Sequence, residues 1–255
     1  MKKNKNYQSQ HIVSIMDSDD FQLVESYKAL RTNLMFSLPA KENTHCRKIL
    51  FTSATPGDGK TTTTVNLALT LAETETRVLL IDADMRKPTV NKYFSVDTRL
   101  GLSNLLSGMN KRSECIQSIP DIPNLSVIPS GVLPPNPSEL LGSAAMDKLL
   151  ADLDEYFDYI IIDTPPVNVV TDALAIAGKV DGVALVVAQR KTTMPEIESA
   201  IEALRFANAN ILGIVMNRVI YNKHSSRFSK RNYGSYNYSY HYQRPTNSGT
   251  PDTKK

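Results

Sequence analysis

The chain has 255 residues, 41% apolar and 22% charged, with a formal net charge of +3, which suits one large α/β domain with or without a tail. Cys46 and Cys115 stand alone without metal-ligand spacing and read as reduced, structural cysteines. Lys2, Lys3 and Lys5 precede no apolar signal-peptide core, and no stretch approaches the roughly 18 apolar residues of a membrane span, so any membrane association is expected through a partner.

The elements follow in chain order. Residues 1–18 are polar and read as a loose N-terminus. Over 19–37, Leu23, Tyr27, Leu30 and Leu34 recur with helical spacing, and Asp19 or Asp20 is placed to cap the start. Then apolar runs alternate with helical stretches. KILFTS is a strand and TTTTVNLALTLAE a helix; RVLLID and LSVIPS are strands. SELLGSAAMDKLLADL reads as one helix, YIIID as a strand and TDALAIAGK as a short helix. GVALVVA, PEIESAIEALRFANA and ILGIVMN close the series as strand, helix and strand. Near-continuous apolar strands alternating with helices predict a doubly wound, mostly parallel sheet over 19–221.

After Tyr221 the apolar pattern stops. Residues 222–255 carry seven Lys or Arg and one Asp, whereas residues 1–221 carry 22 basic and 25 acidic residues. A mildly acidic body is thus followed by a basic tail too polar to order itself. That tail reads YGSYNYSYHY over 233–242, which places Tyr233, Tyr236, Tyr238, Tyr240 and Tyr242 within ten residues of a chain with eleven tyrosines. On charge alone, such a tail serves solubility or weak nucleic-acid contact.

Three stretches carry chemistry. SATPGDGKTTTT places Gly57-Asp58-Gly59-Lys60-Thr61 between a strand and a helix. Backbone N–H groups of such a loop and the helix N-terminus converge on phosphate, Lys60 would reach the β- and γ-phosphates, and Thr61 would ligate Mg²⁺. The first glycine of the usual GxxxxGK[ST] pattern is replaced by Ala54. VLLIDADMR ends a strand on Asp82, followed by Asp84 and Arg86, and YIIIDTPP ends one on Asp163. Carboxylates at the C-terminal ends of strands project into the crevice where α/β sheets bind ligands.

With Walker A (ATPGDGKTT), Walker A′ (LLIDADMR) and Walker B (IIIDTPP), together with GLSNLLSG, GVLPPNPSELL, TDA and the terminal tyrosine cluster, the chain resembles the bacterial tyrosine kinases, specifically the cytoplasmic kinase subunit of capsule and exopolysaccharide systems. The likeness covers residues 20–242. It implies a P-loop NTPase of the MinD/ParA-like, deviant Walker type. The partition and septum-site ATPases that share this fold begin their loop Lys-Gly-Gly; that lysine would fall at Thr55 and is absent here.

The resemblance implies a non-specific protein-tyrosine kinase using ATP and Mg²⁺. Lys60, Asp82, Asp84 and Asp163 would be catalytic, Asp82 taking the proton of an incoming tyrosine hydroxyl. Gly57, Asp58, Gly59, Lys60, Thr61, Thr62, Arg86 and Asn217 would bind nucleotide, with Asn217 either reading the adenine or simply capping its strand. Thr61, Asp84 and Asp163 would organise Mg²⁺. The five tail tyrosines would be phosphorylated in trans within a homo-oligomeric ring, and a flexible segment of that length spans about 30 Å. The family's ring motif, Glu-x₂-Arg-x₂-Arg, reads Glu25, Lys28 and Arg31 here; an intrahelical Glu25–Lys28 pair is the plainer alternative. Further implied are a membrane-embedded activator, a cognate phosphatase, a cytoplasmic location at the inner face of the plasma membrane and no nucleic acid.

Overall fold

The computed structural model describes residues 14–15, 20–38 and 46–220. Its centre is a seven-stranded sheet ordered β3-β4-β2-β5-β1-β6-β7. The strands are β1 (Arg47–Ser53), β2 (Val78–Asp82), β3 (Gln117–Ile119), β4 (Ile122–Ile128), β5 (Tyr159–Asp163), β6 (Gly182–Ala188) and β7 (Ile211–Asn217). All neighbours run parallel except β3 and β4. The expected α/β architecture is thus the observed one, with a single antiparallel strand at one edge.

The strands are apolar throughout because both faces are covered. Ile49, Phe51, Leu80 and Ile161 join the layer of α1 (Phe21–Ser37) and α2 (Lys60–Ala72). Leu50, Ile81, Ile160 and Ile162 join the opposite layer, built by α5 (Pro137–Gly142), α6 (Ala144–Asp152), α7 (Asp172–Ala177) and α8 (Met194–Phe206). Each fully buried Leu or Ile contributes about 1.5–3 kcal/mol over an exposed one. Short α3 (Leu102–Leu106) and α4 (Arg112–Cys115) complete the helices.

Helix α1 starts where the spacing predicts. Asp20 caps it, its carboxylate accepting from the backbone N–H of Gln22 at 3.0 Å and Leu23 at 3.3 Å. Tyr27 and Leu34 are buried, with Leu23 and Leu30 packed beside them. The described part of the stretch expected to be loose is docked: Ile15 is buried, and its N–H donates to Asn66 Oδ1 at 3.0 Å. The single helix expected over 138–153 is two. Ser143 adopts extended backbone (ψ 160°), ending α5 and opening α6, and its hydroxyl donates to Leu140 O at 2.7 Å. A serine satisfies a helix end as readily as it continues a helix. The short elements α3, α4 and β3 have no counterpart among the sequence expectations.

Connectivity brings the motifs together. The β1–α2–β2 crossover steps over β5, so the C-terminal ends of β2, β5 and β1 lie side by side. Asp163 is level with Phe51 on one flank and with Asp82 on the other. Among the described residues, no helix is long and apolar enough to cross a membrane. The expected basic tail, with Tyr233, Tyr236, Tyr238, Tyr240 and Tyr242, lies outside the described residues, as does most of the expected loose N-terminus.

Candidate active site

A cavity of about 690 Å³ opens at these strand ends. One wall is the turn leading into α2. Gly57 (φ +80°) and Gly59 (φ +90°) both take left-handed backbone, the conformation that lets successive N–H groups face one point. A side chain at Gly59 would also displace Asn217: a Cβ would lie 1.8 Å from its Nδ2. Helix α2 begins with no side-chain cap and no acidic residue in its first turn, so its first N–H groups remain available to an anion.

Lys60 enters this space almost fully buried. Its ammonium donates to Asp163 Oδ1 at 2.8 Å and lies 3.7 Å from Asp84 Oδ2. Asp163, fully buried, also accepts from the Thr61 hydroxyl at 2.6 Å and the Thr64 hydroxyl at 3.2 Å. Thr89 Oγ1 donates to Thr61 Oγ1 at 3.0 Å, tying the loop after β2 to the start of α2. Tyr93, Pro165, Pro166, Val169 and Val170 also line the cavity, and Arg86, Lys87, Lys92 and Arg218 add positive charge to the lining. Tyr93 shares a 2.7 Å hydrogen bond with the Thr62 hydroxyl, and burial raises its phenol above the ordinary tyrosine range.

The acids of VLLIDADMR separate. Asp84 lines the cavity; burial raises its carboxyl, and Lys60 pulls it back. Asp82 turns away, accepting from the backbone N–H groups of Asp84 at 3.2 Å, Thr89 at 3.2 Å and Val90 at 3.1 Å. It is buried, and desolvation, reinforced by the charge of Asp163, lifts its carboxyl well above the usual carboxylate range. Such a group is basic enough to accept a proton near neutrality, but in this conformation its oxygens hold the loop.

Three expected nucleotide ligands spend their side chains on protein partners, Arg86 while still lining the cavity. The Asp58 carboxylate is fully buried within its own turn, bonded to Thr55, Lys191 and Thr192. The guanidinium of Arg86 forms a bidentate pair with buried Asp172, both bonds 2.9 Å. Asn217 is not among the lining residues; its amide donates to Asp58 O at 2.9 Å and its Oδ1 accepts from Arg218 N. Its neighbour Arg218 lines the cavity instead. Two of the ring residues make local contacts: Lys28 pairs with Glu25 at 2.9 Å. Arg31 donates to Thr70 O at 2.7 Å, satisfying a carbonyl in the last turn of α2.

Lys191 and Arg218 lie outside every sequence motif: Lys191 acts on residues far away in the chain, and only the fold brings Arg218 to the cavity. Asp172 falls in the TDA stretch, where nothing local marks Arg86 as its partner.

The donor set suits Mg²⁺ delivered with a nucleotide. That ion takes oxygen ligands, commonly one or two carboxylates with phosphates and waters, rather than a protein cage. Asp163, Asp84 and the Thr61 hydroxyl supply such oxygens, and among the described residues no three His, Cys, Asp or Glu side chains form a cage.

The AAA domain family matches residues 46–210. Tyrosine-protein kinase YwqD of Bacillus subtilis (strain 168) is 36% identical over 225 residues, 88% of this chain and 93% of the relative. Tyrosine-protein kinase CpsD of Streptococcus agalactiae is 42% identical, covering 76% and 83%. The chain spans only 29% of tyrosine-protein kinase ptk of Acinetobacter johnsonii, which is 39% identical over 86% of this chain. Among solved structures, the chimerical protein CapA2B2 superposes with a TM-score of 0.74 at 35% identity, covering 80% of this chain and 88% of the other. The kinase domain of the Escherichia coli tyrosine kinase ETK gives 0.73 at 35%, covering 85% and 80%. The septum-site-determining protein MinD from Pyrococcus horikoshii, complexed with Mg-ADP, shares the fold at 0.57 and 24% identity, covering 67% and 70%. A P-loop at the ends of three adjacent strands, with kinases as relatives over most of the chain, leads to one assignment: the chain belongs to the bacterial tyrosine-protein kinases.

Proposed function

We propose that the chain transfers the terminal phosphoryl group of MgATP to tyrosine hydroxyls, its own tail tyrosines among them. One observation carries the proposal: Lys60, Thr61, Asp84 and Asp163 meet at the head of an uncapped helix, beside a cavity lined with basic and apolar residues. Phosphoryl transfer asks mainly for positioning and charge neutralisation. The two left-handed glycines shape the phosphate cradle, and Lys60 is held where it can exchange carboxylates for phosphate oxygens. Asp163 and Thr61 present oxygens to the metal, with Asp84 facing them across Lys60. When bound, Mg²⁺ neutralises charge on the transferring group. Asp82 sits one strand over, level with Asp163, and release of its backbone bonds would free it as a base for the phenol.

Tyr233, Tyr236, Tyr238, Tyr240 and Tyr242 are the proposed acceptors, in trans from one copy to the next. Helix α1 supports self-association, since Phe21, Glu25, Lys28, Thr32 and Met35 follow one another along a single face and Phe21 and Met35 are strongly exposed. The names of relatives, among them CapB of Staphylococcus aureus and EpsB of Ralstonia solanacearum, support a role in capsular or extracellular polysaccharide synthesis and export. A membrane-embedded activator, a phosphatase and recruitment to the inner face of the plasma membrane belong to the same proposal. Full phosphorylation would reverse the tail's charge and so loosen the ring.

Mass spectrometry of the C-terminal peptide after incubation with MgATP, with the activator present, tests the reading. Phosphate on residues 233–242 that disappears in Lys60→Met supports it. Nucleotide turnover without phosphotyrosine overturns it and points to a regulatory ATPase of the MinD/ParA type.

A further inference from the structure

Lys191 lies in the turn between β6 and α8, outside all three motifs. Its ammonium nevertheless rests on the phosphate loop, donating to Asp58 Oδ1 at 2.6 Å, Pro56 O at 2.6 Å and Thr55 Oγ1 at 3.0 Å. Asp58 Oδ1 also accepts from the hydroxyls of Thr55 at 2.9 Å and Thr192 at 3.0 Å, and Oδ2 from Thr55 N at 3.0 Å. The turn is built to deliver the lysine. Arg190 takes left-handed backbone (φ +63°), uncommon for a residue with a Cβ. Lys191 N and Thr192 N both donate to Ala188 O, and the Thr192 hydroxyl accepts from Ala188 N.

A phosphate loop works by gathering donors and positive potential. Asp58 puts a full negative charge between its two glycines, where the carboxylate is completely buried. An uncompensated buried charge is costly, and in a poorly solvated site its repulsion of an incoming polyphosphate is little screened. Lys191 supplies the opposite charge at contact distance. It also lies next to the cavity wall: a Cβ on lining residue Gly57 would be 3.8 Å from Nζ.

We propose that Lys191 is a positioning residue for the nucleotide: it cancels the charge of Asp58 and clamps the Thr55–Asp58 turn in its binding shape. Thr55 occupies the place where the related ATPases carry a lysine in the loop, and here a lysine 136 residues away reaches that position. This inference rests on the reading of the loop as a MgATP site.

The test is titration of the full-length chain with a fluorescent ATP analogue and Mg²⁺, alongside steady-state kinetics. Lys191→Met is expected to weaken binding about tenfold and to raise KM for ATP in step, with kcat at saturating ATP within about twofold. Removing the charge that needs cancelling, in Asp58→Asn/Lys191→Met, should recover most of that loss. Unchanged affinity in Lys191→Met, or a loss that Asp58→Asn fails to recover, overturns the inference alone. Failure of the unaltered chain to bind overturns the nucleotide reading and this inference together. If Lys191→Met does not fold, the double variant is compared with Asp58→Asn: equal affinity within about twofold supports the proposal, and a deficit of about tenfold refutes it.

Discussion

Lys60 and Lys28 each hold a carboxylate at nearly the same distance, 2.8 Å to Asp163 and 2.9 Å to Glu25. The first pair lies at the sheet's strand ends with side-chain exposures of 7% and 0%; the second lies on the open face of α1 with 42% and 45%. The geometry is alike and the consequences differ. In the first, desolvation makes each charge depend on its partner. In the second, water screens both, and the pair contributes a few tenths of a kcal/mol. Burial, not distance, separates machinery from surface in this molecule.

The contrast can be pressed by substitution. Asp163→Asn is the largest case. It strips Lys60, Thr61 and Thr64 of their shared acceptor charge. Tyrosine phosphorylation should fall by about 10²-fold or more, and stability by about 3 kcal/mol in chemical denaturation. If both quantities hold near the unaltered values, the buried pair is no more consequential than the exposed one.

Next comes a pair of glycines. Gly59→Ala adds both a left-handed strain and a collision with Asn217, whereas Gly108 (φ +69°) has nothing within 4 Å of a Cβ. Gly59→Ala is expected to cost about 3 kcal/mol and to abolish nucleotide binding, while Gly108→Ala costs about 1 kcal/mol and leaves binding alone. Calorimetry and nucleotide titration separate the two; equal losses would mean that backbone conformation, not packing at the site, dictates glycine at residue 59.

On α1 the expected effects shrink. Phe36 is 86% exposed, so Phe36→Ser should change monomer stability by less than about 0.5 kcal/mol. Its native mass distribution, together with that of Met35→Ser, reports whether this apolar end of the helix mediates assembly; a shift toward monomer is the expected outcome. Smallest is Glu25→Gln, about 0.3 kcal/mol at low salt and nothing measurable at high salt. A salt-resistant loss would show that the exposed pair is engaged elsewhere, as in an oligomer.

Much of this arrangement is readable from residues alone. Asp20 caps α1 because a short acidic side chain before an apolar-periodic stretch has a local partner in the helix's first N–H groups. The strands ending in Asp82 and Asp163 are recognisable because four consecutive apolar or half-apolar residues suit a sheet covered on both faces. Local rules fall short where partners are remote. Ser143 divides a uniformly helical pattern because its hydroxyl can turn back onto Leu140 O. Arg86, which looks like a phosphate ligand beside Asp84, is drawn to Asp172 by a buried carboxylate that needs a cation. Asp82 and Asp84 look equivalent in sequence, yet one faces backbone and the other the cavity, because successive positions after a strand leave it in different directions.

By itself, then, the sequence determined the alternation of strands and helices, the phosphate loop and the acids that end its neighbouring strands, for these depend on period, capping and turn chemistry within a few residues. Tertiary structure alone decided which acid faces the cavity, that Asn217 bonds the Asp58 carbonyl, and that Lys191 neutralises Asp58. Those outcomes depend on how charges are desolvated between elements far apart in the chain, and desolvation exists only once the sheet has brought them together.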